Sequence, residues 1–138
     1  MSQKVFIDAN VPMYAGGAAS DYKVPSLTFL KRVAQGQTAG VTSAEVLQEL
    51  LHRYLTSRDR KAGFGVYDMF RKVVHEVFSV DAEDVDRGRE LAEKYQKSRA
   101  RDLLHLAVMI NRGVKTIASW DTDFDVFEEI TRVDPGLP

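Results

Sequence analysis

The sequence predicts an α/β protein, a three-layer α/β/α arrangement around a mainly parallel central sheet. Two observations carry this expectation. Short apolar, β-favouring runs alternate with longer helical patterns along the chain. Strands separated by helices favour right-handed crossovers and parallel pairing, with helices covering both faces of the sheet. The junctions also carry the punctuation of helix ends, with Ser or Asp before helices and Gly after them.

Taken in order, residues 4–8 read as a strand. Residues 25–35 read as a helix, with Pro25 near its start and Gly36 at its end. A short strand is expected around 38–42, and Ser43 is placed to cap a helix over 44–57. Residues 60–73 form another helical pattern, weakened by Gly63 and Gly65. HEVFSV, residues 75–80, reads as a strand. Asp81 then caps a helix over 82–97, whose first turn carries Glu83 and Asp84. Ser98 is the expected cap of the next helix, which Gly113 ends. Strands at 114–118 and, at an edge, 130–133 complete the pattern before Pro135-Gly136.

A chain of 138 residues reads as one domain, 1–138, long enough to bury a layered core. The absence of cysteine excludes disulfides and thiolate zinc sites. The apolar stretch in MSQKVFIDAN is too short for a signal peptide or a membrane span, so a cytoplasmic protein with no membrane partner is expected. A net charge of −1 and a pI near 6.3 argue against diffuse polyanion binding. A nucleic-acid ligand would need a local basic patch. Arg53, Arg58, Arg60 and Lys61, with Arg99 and Arg101, are the candidates, although most such clusters are solvated helix faces.

Four acids stand out. Asp8 and Asp121 follow the apolar runs Val5-Phe6-Ile7 and Thr116-Ile117-Ala118. In open parallel sheets, ligands collect beyond the carboxyl ends of strands. Asp102 opens one apolar helical pattern and Glu49 lies inside another. Carboxylates gathered in one place repel unless neutralised, and oxygen-ligated Mg²⁺ or Mn²⁺ is the usual neutraliser. Two such ions about 3.5–4 Å apart suit phosphodiester hydrolysis. Asp8, Glu49, Asp102 and Asp121 are therefore the candidate catalytic and metal-binding acids.

These segments have a recognisable form. FIDANVPMY resembles the opening of PIN-domain proteins, VTSAEVLQELLHRY is similar to their second acidic block, and ARDLLHLAVMINRGVKTIASWDTDFD to their third and fourth. In length and motif order the chain is most similar to VapC-type toxins. The resemblance implies a PIN-like α/β/α fold, Mg²⁺ or Mn²⁺, RNA cleavage, a homodimer and a small VapB-type antitoxin that blocks the site. It places the acidic quartet at Asp8, Glu49, Asp102 and Asp121, with Asp123 as an additional metal ligand. Asn10 matches the small polar position beside the first acid and Ser119 the hydroxyl before the fourth. Glu45, one turn from Glu49, is favoured as a supporting residue. Trp120 departs from the smaller or polar residue usual there.

Other readings are weaker. His52 and His105 each follow an acid by three residues, imitating the Glu-x-x-His pattern of di-iron bundles, but that architecture needs four long helices. His105 reads instead as a packed or hydrogen-bonded histidine. A receiver-like module needs a second acid beside Asp8 and a Lys after a late strand, whereas Lys115 precedes its strand. A PIN-type RNA-maturation or DNA nuclease, or a metal-free binding module, shares enough of the pattern to remain an alternative.

Overall fold

The computed structural model describes residues 3–137. Five strands, β1 (Lys4–Ile7), β2 (Ala39–Ser43), β3 (Glu76–Phe78), β4 (Thr116–Ala118) and β5 (Thr131–Val133), form one sheet in the order β3-β2-β1-β4-β5. Each of its ladders is parallel. The helices are α1 (Asn10–Ala15), α2 (Lys23–Ala34), α3 (Ala44–Leu55), α4 (Arg60–Val73), α5 (Ala82–Lys94) and α6 (Ala100–Arg112), with a 3₁₀ turn at Thr122–Val126. The expected α/β fold with a parallel sheet is the one observed. No described helix is long and apolar enough to cross a membrane.

The core is built on the central strand. Phe6 and Ile7 of β1 are fully buried, as are Ile117 and Ala118 of the adjacent β4. Leu106, Ala107, Val108 and Met109 bury the middle of α6. The order of strands reverses between β1 and β4, and that junction opens a crevice at their carboxyl ends.

Local chemistry explains most element ends. Ser43 Oγ accepts a hydrogen bond from the Val46 amide at 3.3 Å and starts α3. Gly113 ends α6 with φ of 72°, the left-handed conformation that glycine adopts without steric cost. The helix expected over 82–97 stops at Lys94, where Tyr95–Ser98 tightens into a turn. Ser98 does not cap α6. Its amide donates to the Tyr95 carbonyl in that turn, Arg99 takes the cap position, and no side chain caps the helix.

Two features went beyond the periodicity. The six-residue α1 is too short to display a helical repeat, and its Pro12 falls in the first turn, where a missing N–H costs nothing. The expected weakness at Gly63 is instead a packing requirement: α4 crosses α3 there, and a Cβ would overlap the Tyr54 ring.

The helices α5 and α6 are locked by a buried ion pair. Arg112 Nη1 and Nη2 donate to Asp84 Oδ1 and Oδ2 at 2.8 and 3.1 Å. Asn111 Nδ2 and the Asp81 amide complete the carboxylate's shell at 2.8 and 2.9 Å. The Arg112 bonds, opposed by burial, hold the Asp84 pKa down at about 2. A depressed carboxylate pKa stabilises the fold above its unfolded value near 3.8 and loses that contribution as pH falls through about 2. The shift corresponds to on the order of 2 kcal/mol. Asp84→Asn is therefore expected to lower Tm at neutral pH by roughly 5–10 °C. The gap from wild type should narrow as thermal melts are taken from pH 5 towards pH 2. A gap independent of pH would mean that Asp84 acts through packing and not through charge.

Candidate active site

The crevice beyond β1 and β4 is a cleft of about 690 Å³. Asp8, Glu45, Glu49, Asp102 and Asp121 line it, together with Asn10, His52, Arg53 and Arg101. They arrive from several elements. Asp8 is the first residue after β1. Glu45 and Glu49 lie one turn apart on α3, Asp102 in the first turn of α6, and Asp121 at the start of the 3₁₀ turn.

Asp8 is 6% exposed, and its carboxylate is fixed by three donors. The Ala9 amide donates to Oδ1 at 2.8 Å. Ser119 Oγ donates to Oδ2 at 2.7 Å, and Asn10 Nδ2 approaches the same oxygen at 3.3 Å. Ser119 Oγ in turn accepts from Asn10 Nδ2 at 3.1 Å and from the Asp121 amide at 3.0 Å. Asn10 Oδ1 accepts from the Trp120 amide at 3.3 Å. Asn10 and Ser119 thus join the end of β1 to the end of β4 through Asp8.

Glu49 is held from the opposite side. Its Oε1 lies 2.6 Å from His105 Nε2 and 3.7 Å from Arg101 Nε. His105 is 1% exposed, with Phe6 and Phe124 beside its ring, and its Nδ1 has no partner among the described residues. The hydrogen bond expected of His105 thus falls on an acid of the quartet. His105 lies on the buried face of α6, one turn from Asp102.

The acids divide into two groups. In each, one ligating atom per residue lies within 4.8 Å of the others: Asp8, Glu49 and His105 in one, Asp102, Asp121 and Asp123 in the second. Asp123 is exposed and stands outside the cleft lining, with its amide donating to Asp121 Oδ1 at 2.9 Å. Glu45 lines the cleft, but Glu49 is the member of the pair bonded to His105. Of the basic residues singled out in the sequence, Arg53 and Arg101 reach the cleft; Arg58, Arg60, Lys61 and Arg99 are exposed and outside its lining.

Crowding shows in the electrostatics. Burial raises the Asp8 pKa above the usual carboxylate value, against the pull of His105 and the Ser119 bond. Burial and the neighbouring Asp121 raise that of Asp102. For His105, burial favours the neutral ring, but the Glu49 bond and the charges of Asp8, Glu49 and Asp102 prevail and raise its pKa. The cleft therefore favours positive charge. Its donors are mostly carboxylate oxygens, with no thiolate, and such a set fits a hard divalent cation.

The chain is similar to known proteins along most of its length. Ribonuclease VapC13 of Mycobacterium tuberculosis is 36% identical over 129 residues, covering 94% of this chain and 98% of that protein. Ribonuclease VapC23 of the same species is 37% identical over 117 residues, covering 85% and 92%. Among solved structures, VapBC2 from Rickettsia felis bound to a promoter DNA fragment aligns with a TM-score of 0.77 at 18% identity, covering 95% of this chain and 98% of that one. The sarcin–ricin-loop-cleaving toxin VapC20 of M. tuberculosis aligns at 0.72 and 19%, covering 91% and 96%. These two structures share the fold. A model of the PIN domain matches residues 5–130, which hold β1 from Val5 onward, β2, β3, β4 and every acid of the cleft, and stop just before β5. On that match and those relatives, the chain belongs to the PIN domain family.

Proposed function

We propose that this protein is a Mg²⁺- or Mn²⁺-dependent endoribonuclease and the toxin of a toxin–antitoxin pair. The observation that carries this reading is the convergence of Asp8, Glu49, Asp102 and Asp121 on one cleft of a PIN domain whose 36–37% identical relatives are named ribonucleases. With it go RNA as substrate, a VapB-type antitoxin, a homodimer, a single nuclease domain over 1–138 and a cytoplasmic location.

In this reading Asp8, Glu49, Asp102 and Asp121 hold the cation, with Asp123 added at the rim. A hard divalent ion, when bound, polarises a phosphoryl oxygen and makes a nucleophile available at neutral pH. The protein's own groups do the positioning. Ser119 and Asn10 aim Asp8, and His105 aims Glu49. The raised pKa values of Asp8 and Asp102 mark a carboxylate pair that a bound cation would relieve of its mutual repulsion. Arg53 and Arg101 present guanidinium groups to the phosphates of an RNA strand in the cleft. An antitoxin that supplies its own Arg to the carboxylates would occupy the cation's place.

Purified protein freed of any partner is expected to cleave RNA with Mg²⁺ or Mn²⁺ and to stop in EDTA, with no requirement for zinc. Asp8→Asn should lose most activity, and Mn²⁺ should raise its Tm less than that of wild type through binding linkage. Full cleavage in chelator would sink the metal mechanism.

Within the acidic pairs, Glu49→Gln and Asp121→Asn should each reduce activity at saturating Mn²⁺ far more than Glu45→Gln and Asp123→Asn. Circular dichroism should show all four folded. A reversed order within either pair would reassign the ligand there.

Expression of the chain alone should arrest bacterial growth, and Asp8→Asn should relieve the arrest. Unimpaired growth at high soluble expression in several hosts would rule out the toxin assignment while leaving the nuclease one standing.

A further inference from the structure

Beside the acidic cleft, three aromatic rings lie in sequence. Tyr14 and Tyr22 have ring centroids 4.8 Å apart, and Tyr22 and Trp120 4.7 Å, with interplanar angles of 49° and 55°. The set is anchored at its inner end. Trp120 Nε1 donates to the buried Ser26 Oγ at 2.9 Å, and its amide donates to Asn10 Oδ1, the residue that also holds Asp8. Trp120 immediately precedes Asp121. Tyr14 lies four residues beyond Asn10 on α1 and so shares its face.

The end ring and the middle ring are exposed, Tyr14 by 36% and Tyr22 by 42%. Two phenol rings held in the open beside a polar cleft are poorly explained by core packing. Cations that an RNA backbone could meet lie nearby, although Asp21 and Asp59 stand among them. A second cavity of about 320 Å³ shares Met13 and Arg53 with the acidic cleft and reaches Gly17, whose carbonyl accepts from Lys23 Nζ at 2.7 Å. Lys23 is the residue after Tyr22.

We infer that Tyr14, Tyr22 and Trp120 form a base-stacking step that takes unpaired nucleotides next to the phosphate entering the cleft. This rests on the ribonuclease reading and adds to it a base-contacting surface outside the acidic cleft lining. Stacking on aromatic rings accepts any base, because every base has a π face. The step therefore selects unpaired RNA without fixing its sequence. The rings pack against one another at 4.7–4.8 Å and leave no slot for insertion between them, so bases stack on the surface that Tyr14 and Tyr22 leave exposed.

Trp120 is the sole tryptophan of the chain, so tryptophan emission reports on ligands that reach this end of β4. Full-length Asp8→Asn protein is titrated with a short unpaired oligoadenylate, and with an abasic ribose-phosphate chain of equal length. The oligoadenylate should change Trp120 emission and bind more tightly than the abasic chain. Adding Tyr14→Ala or Tyr22→Ala, both at exposed positions, should weaken oligoadenylate binding by roughly tenfold each. Each should leave binding of the abasic chain unchanged. In the otherwise native enzyme the same substitutions should raise KM for unpaired RNA and leave kcat unchanged. Equal binding of the two ligands, or unaltered affinity in both variants, would overturn the stacking step. So would sedimentation showing that the variants lose a dimer while still binding RNA as before, which would give the rings to a second copy. The two readings fail separately. Base-dependent binding by a wild-type protein that cuts no RNA keeps the step and removes the nuclease, while normal cleavage with indifferent tyrosines does the reverse.

Discussion

The hydrogen bond from Ser119 Oγ to Asp8 Oδ2 joins the ends of two strands that are 111 residues apart in sequence. Asp8 follows β1 and Ser119 follows β4, and the parallel pairing of those strands brings the two side chains together. Once they meet, Ser119 also receives the Asp121 amide, and Asn10 bridges to the Trp120 amide. The first and fourth acids of the cleft thus share one hydrogen-bonded frame. Arg132 of β5 extends it, donating to the Ser119 carbonyl at 3.0 Å while pairing with Asp125 in the 3₁₀ turn.

That frame works against its own electrostatics. Burial and like charge raise the pKa values of Asp8 and Asp102, so the acids are held where ionisation is unfavourable. His105 offsets part of this through Glu49, but its other ring nitrogen has no partner among the described residues. The Asp84–Arg112 pair is the contrast within the same protein. There a buried carboxylate has its counter-charge in bidentate contact and a depressed pKa. The cleft is built to receive positive charge from outside the chain, whereas α5 and α6 already carry theirs.

Much of this was legible in the sequence because the signals were local. The β1 and β4 runs, the Ser43 cap and the Gly113 stop each depend on neighbouring residues, and each occurs within a residue or two of its expected place. The acids were legible because parallel sheets collect ligands at strand ends. What escaped depended on tertiary partners. Ser98 lost its capping role to a turn with Tyr95, and Gly63 proved to be a close approach to Tyr54. The pairing of His105 with Glu49 spans 56 residues, and nothing in the local pattern of either helix names the other as partner.

The order of strands also bears on how the chain is made. β1 is the first strand to leave the ribosome, but one of its two neighbours in the sheet, β4, is nearly the last. Asp8 acquires its Ser119 partner only when the residue 111 positions later has emerged. Long-range parallel pairing of this kind is slow to form. The acidic cleft is therefore assembled only after β4 and Ser119 have been made, and a nascent chain that stops short of them carries Asp8 without the hydroxyl that aims it. For a protein whose cleft is proposed to cut RNA, this topology separates translation of the message from the moment its product can act.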